Sequence, residues 1–471
     1  MMPSLSRFAL AALLGAMALP AAAEPWDERV IARHVEREAH VGALDGERLD
    51  RLVAAGEKLF IGAFTPADGV GRPFATQAIL PTKRKRAPQH GFFRTAGMDA
   101  TSCAACHAVP IAGGAGDFVA NVFVSEGFES AGFDSLDPQF SNERNTNHLF
   151  GAGLVELLGR EMSADLKAIR SAALDEARRT GNAVDARLES KGVHFGFITA
   201  EPDGSVDQRR VAGVDGDLVV KPFGQKGVFV SLRQFTVNAL NHHHGMQADE
   251  RFGQRWTGED DFDSDGKASE VSDGDVTALV AWQATRPAPG QRIPDDPAWA
   301  EAAAHGDALF DRLGCAVCHV RELPLESTLF EDPGPNDAAG TLRRTEVQEA
   351  TGYDLAALPA AAKLRRDDRG RLLVPLFGDL KRHVIADERI SHFGNELLAQ
   401  RFVERDVFAT SELWGIGATA PYGHRGDLVT LDEAIRAHGG EGQASRNAYV
   451  AAGDNERSAL IAFLKTLVIE P

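Results

Sequence analysis

The chain has 471 residues, with 68 acidic and 50 basic side chains and a formal net charge of −18. Such an acidic chain repels nucleic acids and anionic membranes, so both are excluded as partners. The length exceeds what one compact core accommodates, and we therefore expect at least two domains.

The first 23 residues have the pattern of a secretory signal peptide. Arg7 supplies the positive charge, residues 8–19 form the apolar segment, and residues 21–23 are three alanines typical of a cleavage site. The apolar segment is shorter than the roughly 20 residues that a membrane-spanning helix needs. We therefore predict an exported, periplasmic protein with no stable membrane anchor.

All four cysteines of the chain lie in two Cys-x-x-Cys-His motifs, Cys103–His107 and Cys315–His319. This spacing is the attachment signature of c-type haem: both thiols bond to the haem, and the histidine binds its iron. A zinc site would need a second pair of ligands nearby, and a structural disulfide does not require the histidine. The motifs predict two covalently bound haem c groups, attached through Cys103, Cys106, Cys315 and Cys318, with His107 and His319 as iron ligands.

A short repeat accompanies the two motifs. Residues 56–60 and 306–310 both read Gly-x-x-Leu-Phe and precede a haem motif, and apolar residues at helical spacing over 276–282 and 460–467 predict a closing helix for each half. A proline-rich stretch, 287–297, separates the halves. We predict a mainly α protein of two tandem cytochrome c-like domains, 24–290 and 291–471, with loop insertions and small β insertions such as a hairpin within 193–235.

Several residues are candidates for the second ligand of the N-terminal haem iron, opposite His107. The cluster His242, His243 and His244, followed by Met246, either forms a polar loop or supplies a ligand or hydrogen bond to the haem pocket, and His148 is a further candidate.

An acidic loop follows this cluster. Asp261, Asp263 and Asp265 alternate ahead of Gly266, as in the first half of an EF-hand calcium loop. Position 12 of that loop is Ser272 rather than Glu, so Glu270, Asp273 or Asp275 would have to complete the ligand shell. We predict a calcium site at Asp261, Asp263, Asp265 and Glu270, with a solvated acidic turn as the alternative.

The second iron ligand of the C-terminal haem cannot be a methionine from the same half of the chain. After the signal segment only Met98, Met162 and Met246 remain, and all precede Cys315. The candidates are therefore histidine, tyrosine or water, and the side chains concerned are His383, His392, Tyr422, His424 and His438.

The segment from Trp414 to Gly426, with Leu431–Glu441 after it, resembles the end of the bacterial dihaem cytochrome c peroxidase superfamily, most closely the dihaem oxidoreductase (putative peroxidase) family. Stretches 112–123, 142–147, 235–246 and 379–383 agree with it. In these peroxidases a methionine ligand follows a helix that matches residues 430–437, so the resemblance implies that His438 binds the C-terminal iron. Arg425 departs from the usual His-Asp-Gly pattern and puts any role of His424 in doubt.

The same resemblance implies more about the reaction. The peroxidases carry a glutamate that moves a proton during peroxide cleavage, and Glu161 or Glu156 corresponds to it here; both are otherwise ordinary helix carboxylates. A calcium ion between the domains and a tryptophan between the haems are also implied, and Trp256, Trp282 and Trp299 are available for the latter. The reaction partners implied are hydrogen peroxide or a related oxidant and a periplasmic electron donor.

We therefore predict a periplasmic dihaem c-type oxidoreductase, a peroxidase whose open N-terminal haem receives electrons from a bis-histidine C-terminal haem. One alternative is a non-catalytic electron-transfer cytochrome in which the cluster 242–244 caps the N-terminal iron. Another is peroxide-driven oxidation of a protein partner, and a lower-ranked third is an oxygenase that binds O₂.

Overall fold

The computed structural model describes residues 26–71, 100–123, 141–263, 265–336, 338–387, 393–396 and 399–470. The predicted signal segment, Met98 and His392 lie outside these residues. The fold is mixed helix and sheet and about 37% helical, so the prediction of a mainly α protein was wrong in its proportion: many short strands occupy the segments between helices. None of the helices in the described ranges is long and apolar enough to cross a membrane.

The helices of the described ranges are α1 Gly46–Ile61, α2 Ala152–Thr180, α3 Leu232–Ala239, α4 Asp249–Phe252, α5 Gln254–Thr257, α6 Asp273–Ala284, α7 Pro297–Arg312, α8 Leu431–Arg436, α9 Gln443–Ala451 and α10 Asp454–Leu464. Their starts follow ordinary capping chemistry. The Asp45 carboxylate accepts a hydrogen bond at the start of α1, Asp296 does so ahead of Pro297 in α7, and Ser272 forms a capping box with Asp275 in α6.

The strands are β1 Gly42–Ala43, β2 Gly116–Phe123, β3 Ser141–Thr146, β4 Val184–Ser190, β5 Val193–Ala200, β6 Val206–Val211, β7 Gly290–Gln291, β8 Leu323–Leu325, β9 Leu329–Asp332, β10 Thr351–Asp354, β11 Leu372–Val374, β12 Arg382–Val384, β13 Val407–Ala409 and β14 Leu467–Val468. The antiparallel sheet β4-β5-β6 is the largest β addition and contains the predicted hairpin, which spans 193–211. Strand β1 pairs in parallel with β10, which pairs antiparallel with β9.

Two helix pairs cross at the glycines of the sequence repeat. A Cβ atom on Gly56 of α1 would lie 1.9 Å from the Ala278 carbonyl oxygen of α6, and one on Gly306 of α7 would lie 2.0 Å from the Ala459 oxygen of α10. Only glycine permits so close a backbone approach. The repeat therefore marks two equivalent helix crossings, each in a helix that precedes a haem motif.

Two hydrophobic clusters form the interior. The smaller cluster contains residues of α7, α8, α9 and α10. The larger joins α1, α2, α3 and α6, and it also takes in buried residues between 323 and 380. The division of the chain at residue 290 stays a prediction, and the packing shows that part of the C-terminal half is built into the N-terminal core.

Candidate functional site

The C-terminal haem motif faces a second histidine. A short 3₁₀ turn, Cys315–Val317, follows α7 and presents His319, while His438 comes two residues after the end of α8. The ring centroids of His319 and His438 lie 6.4 Å apart, with 63° between the ring planes. An imidazole nitrogen lies about 2 Å from the metal that it binds, so two rings on opposite sides of one ion have centroids about 6 Å apart. The pair therefore fits the two axial positions of one haem iron.

Hydrogen bonds orient both rings toward that position. The Nδ1 atom of His319 lies 3.2 Å from the Phe377 carbonyl oxygen, and that of His438 lies 2.8 Å from the Ala434 oxygen. When Nδ1 donates to a carbonyl, Nε2 keeps its lone pair for a metal. Burial lowers the pKa of His319 to about 4 and also lowers the pKa of His438, so both rings stay neutral, as ligands must.

The other candidates for this position have different partners. His383 bridges the carboxylates of Asp379 and Glu441, each at 2.8 Å. The Tyr422 hydroxyl donates to the Ile416 carbonyl, and His424 Nε2 lies 2.7 Å from Asn395 Oδ1. Within the described residues, the ring that faces His319 is therefore that of His438.

The N-terminal haem motif opens into a large, mainly apolar cavity. Cys103, Cys106 and His107 lie on its wall. The empty volume of the cavity, including the part open to solvent, is about 1670 Å³. His107 Nδ1 lies 3.3 Å from the Gly114 oxygen, and burial lowers the pKa of His107 to about 4. The two thiols, the neutral imidazole and the apolar space together fit a haem c.

Helix α3 and the turn after it form another part of the cavity wall, with Leu232, Phe235, Thr236, Ala239, Leu240, His243 and His244. His244 Nδ1 donates to the Ala100 carbonyl oxygen at 2.6 Å, and its Nε2 lies 3.5 Å from Cys103 Sγ. Of the predicted cluster, His243 and His244 line the cavity, whereas His242 and Met246 do not.

The two glutamates predicted as proton-transfer groups lie elsewhere. Glu156 is buried and pairs with Arg160 at 2.5 Å, while its second oxygen accepts from Leu232 N. Glu161 pairs with Lys191 at 2.5 Å and accepts from the backbone of Ser327. Neither residue is in the described wall of the cavity. Helix α2 turns both carboxylates toward structural partners, and the assignment of one of them to proton transfer stays a prediction.

Sequence reasoning missed the acidic residue that does line the cavity, Glu412. Burial raises its pKa to about 7, and among the described residues no cation pairs with it. It stands two residues ahead of Trp414, where the family-like segment begins. That position was a weak signal, because nothing in the sequence brings residue 412 to a cavity built around residue 107.

Trp414 lies between the two motifs. Its side chain is 2% exposed, lines the N-terminal cavity and packs over Gly151. Its carbonyl oxygen is 2.9 Å from His148 Nε2. On the other side, Leu413 N donates to the Phe377 oxygen, the same oxygen that contacts His319. Trp282 instead packs on Phe60 between α1 and α6.

The acidic loop brings part of the predicted calcium set together. Oxygen atoms of Asp261, Asp263 and Asp265 lie within 4.8 Å of one another, a spacing compatible with Ca–O bonds of about 2.3–2.6 Å. Glu270 is not in this group; its carboxylate accepts from Gln247 N at 2.8 Å. Asp275 is occupied by the α6 capping box and by His34.

Sequence comparisons with known proteins find matches to peroxidases. Residues 377–467 match the family described as "Di-haem oxidoreductase, putative peroxidase". A cytochrome-c peroxidase IdrP2 of Pseudomonas sp. (strain SCT) is 28% identical over 183 residues, which are 38% of this chain and 42% of the relative. The IdrP2 of Denitromonas iodatirespirans is 35% identical over 79 residues, 17% of this chain and 22% of the relative. The matched regions thus span less than half the length of these curated relatives.

Similar solved structures are distant. Hydrazine synthase of Kuenenia stuttgartiensis has a TM-score of 0.36 and 13% identity, covering 98% of this chain and 100% of that chain. A MauG-like protein associated with microbial copper homeostasis has a TM-score of 0.28 and 17% identity, covering 67% and 88%. These scores are too low to support any argument. The family match, by contrast, includes the segment that carries His438, and over residues 377–467 the chain is similar to the dihaem oxidoreductase (putative peroxidase) family.

Proposed function

We propose that the protein is a periplasmic dihaem c-type peroxidase in which the two haems have different tasks. The observation that carries this proposal is the asymmetry of the two sites. His319 faces the imidazole of His438 at 6.4 Å, whereas His107 faces an open cavity and has its ring contact with Phe60, at 6.0 Å. An iron with two strong ligands carries electrons, and an iron with an open position binds small oxidants.

Bound haem would supply the redox chemistry at both sites. At the C-terminal site His319 and His438 would hold it. At the N-terminal site Cys103, Cys106 and His107 would hold it, while the apolar side chains of α3 exclude water from the space where peroxide enters. The relatives named as cytochrome-c peroxidases make peroxide the oxidant and a small cytochrome the electron donor that we propose.

Electrons would pass between the sites through residues 413–414. This segment touches the Phe377 carbonyl beside His319 and also lines the cavity beside His107. We assign the bridging role to Trp414 rather than to Trp256, Trp282 or Trp299.

Glu412 would move the proton that peroxide cleavage requires. The residue lines the cavity, and burial brings its pKa to about 7, near the value at which a group both accepts and donates a proton efficiently at neutral pH. As carboxylate it would take a proton from one oxygen of hydrogen peroxide, and as carboxylic acid it would return that proton to the other oxygen, which leaves as water. Two electrons from the donor, delivered through the bound haem groups, and two protons from solvent would convert the remaining oxygen to a second water.

One observation favours the alternative of a non-catalytic electron carrier. His243 lines the N-terminal cavity, and a rotation of its side chain toward the iron would give a second strong ligand. The two functions then differ in a single property, the ligation of the N-terminal iron.

Low-temperature EPR of the holoprotein after one-electron reduction, before and after hydrogen peroxide, distinguishes them. A high-spin ferric signal that disappears with peroxide supports the peroxidase. Low-spin signals alone, unchanged by peroxide, would contradict it and support the electron carrier. Cell fractionation after expression with residues 1–23 tests export in the same preparation.

We also propose that the loop Asp261–Asp265 binds calcium. The support is the convergence of three carboxylates within 4.8 Å. Calcium should raise the melting temperature of chelator-treated holoprotein, and Asp263→Asn should remove most of that increase. An equal increase in the variant would show that calcium acts elsewhere.

A further inference from the structure

Trp282 of α6 packs against the N-terminal haem motif, although it is outside the described wall of the cavity. Its side chain is 0% exposed, and its ring centroid lies 4.1 Å from that of Phe60, which in turn lies 6.0 Å from that of His107. A Cβ atom on Gly113, in the loop after the motif, would lie 3.1 Å from Cη2 of Trp282. Two ring contacts therefore connect Trp282 to the proposed iron ligand.

The guanidinium of Arg286 lies over the indole ring of Trp282. Its Cζ atom is 4.3 Å from the ring centroid, and its Nε donates to the Trp282 carbonyl oxygen at 3.0 Å, which holds the group on this face of the ring. Arg286 is partly buried, and no carboxylate in the described part of the chain forms an ion pair with it. Because arginine stays protonated in proteins, a positive charge without an ion pair rests on the indole.

The indole nitrogen of Trp282 lacks an acceptor. Its Nε1 is buried and has no hydrogen-bond partner among the described residues. An indole that loses an electron becomes a strong acid, and its N–H proton normally passes to an acceptor nearby. Here no such acceptor is in contact, so an oxidised Trp282 would keep its positive charge inside the core, where an unpaired charge is costly.

A stacked cation has opposite effects on the two redox states of an indole. It is attracted to the face of the neutral ring, but it repels the ring once an electron has left, and this repulsion is strong where water is excluded. Arg286 therefore raises the potential at which Trp282 is oxidised. Trp414 is buried and lines the cavity as well, yet no cation lies over its ring among the residues that the structure describes.

We propose that Arg286 is a positioning residue that keeps Trp282 reduced, so that oxidising equivalents pass between the haems through Trp414 and do not escape into α6. This inference rests on the proposed peroxidase function, which supplies the oxidant. Without the guanidinium, each hydroxylation of the Trp282 ring would take two electrons and two protons from the indole and one water molecule. Hydrogen peroxide at the haem would accept them and form two water molecules.

Peptide mass spectrometry of the holoprotein after exposure to hydrogen peroxide tests the proposal. Cleavage after acidic residues releases the fragment 276–295, in which Trp282 is the one tryptophan and which contains no methionine or cysteine. Arg286→Gln removes the charge, and we expect the fraction of this fragment that carries an added oxygen atom to rise about tenfold. Arg286→Lys keeps a charge and should stay within about twofold of the wild type.

The matched control is Arg255→Gln. Arg255 Cζ lies 4.6 Å from the ring centroid of Trp256, a contact of the same kind, but Trp256 is 46% exposed. Solvent already screens the charge there, so oxidation of Trp256 should not change. Haem absorption spectra that match the wild type show that each variant keeps its fold.

Two results would overturn the role of Arg286 and leave the peroxidase proposal intact, provided that EPR shows the N-terminal haem reacting with peroxide. One is equal oxidation of Trp282 in the wild type and in Arg286→Gln. The other is an equally large rise in Arg286→Lys, since the lost contact rather than the lost charge would then be responsible. An N-terminal haem that does not react with peroxide in EPR would remove both proposals.

Discussion

At the scale of single residues, the hydrogen bond at one ring nitrogen decides what the other nitrogen can bind. His107, His319 and His438 each have Nδ1 within 3.3 Å of a backbone carbonyl oxygen, which leaves Nε2 for a metal. His424, which is 4% exposed, directs its Nε2 to Asn395 instead. These local contacts therefore support the proposed ligand role of the first three histidines and give none to His424.

We expect His438→Met to raise the potential of the C-terminal haem by something on the order of 0.1 V, because a thioether ligand favours ferrous iron more than imidazole does. Spectroelectrochemistry of the holoprotein measures this change. The matched control is His305→Met on the exposed face of α7, which should leave both potentials unaltered. An unchanged potential in His438→Met would mean that His438 does not bind the iron.

We expect Glu412→Gln to slow the reaction with hydrogen peroxide by about 10²- to 10⁴-fold, the usual contribution of a positioned acid–base group. In the wild type the carboxylate form starts the reaction, so the rate should rise with pH through about 7, the pKa that burial gives Glu412, and this rise should vanish in the variant. Stopped-flow kinetics between pH 5 and 9 measure both effects. Glu161→Gln is the matched control, and an equal loss in that variant would refute the assignment.

At the scale of elements, the same helix crossing is built twice. The side chain that covers the repeat glycine differs, Trp282 over Gly56 and Phe463 over Gly306, yet the carbonyl oxygen beneath it approaches to the same distance. Each crossing fixes the end of the helix that leads into a haem motif. The crossings therefore position Cys103 and Cys315, although the intervening loops differ greatly in length.

We expect Gly306→Ala to lower the free energy of unfolding by about 1–3 kcal/mol, the usual cost of overpacking a close contact, and Gly56→Ala to act similarly. Gly46→Ala is the control, because it lies in α1 with nothing within 4 Å of the added methyl group; there alanine should be neutral or slightly stabilising. Chemical unfolding followed by haem absorbance measures the three variants. Equal stability of all three would contradict the crossing geometry.

At the scale of the whole molecule, the halves are joined by more than a linker. Strand β1 pairs with β10 across more than 300 residues of sequence, and Arg233 of α3 binds Asp332 at 2.6 Å inside the core. In the proposed function, the packing of these segments would set the distance over which electrons travel between the haems.

We expect Trp414→Phe to slow electron transfer between the haems while leaving both potentials and the haem spectra unchanged. Phenylalanine keeps an aromatic side chain at this position, but its smaller ring spans less of the distance between the two sites. Flash reduction of the C-terminal haem followed by absorbance measures the rate. Trp256→Phe is the control, since Trp256 is 46% exposed on α5. A rate in Trp414→Phe equal to that of the control would remove Trp414 from the path.

The sequence by itself determined where the two haem-attachment motifs lie and where several local elements form. Cysteine spacing predicted the haem motifs, the Gly-x-x-Leu-Phe repeat marked both crossings, and the match of residues 430–437 pointed to His438, because all three depend on neighbours along the chain. Only the tertiary structure decided what faces the N-terminal cavity. Glu156 pairs with Arg160, and Glu161 pairs with Lys191. Glu412 lines the same cavity as His107, from which it is 305 positions away in the sequence. Such convergence follows from packing between distant segments, which no local pattern encodes.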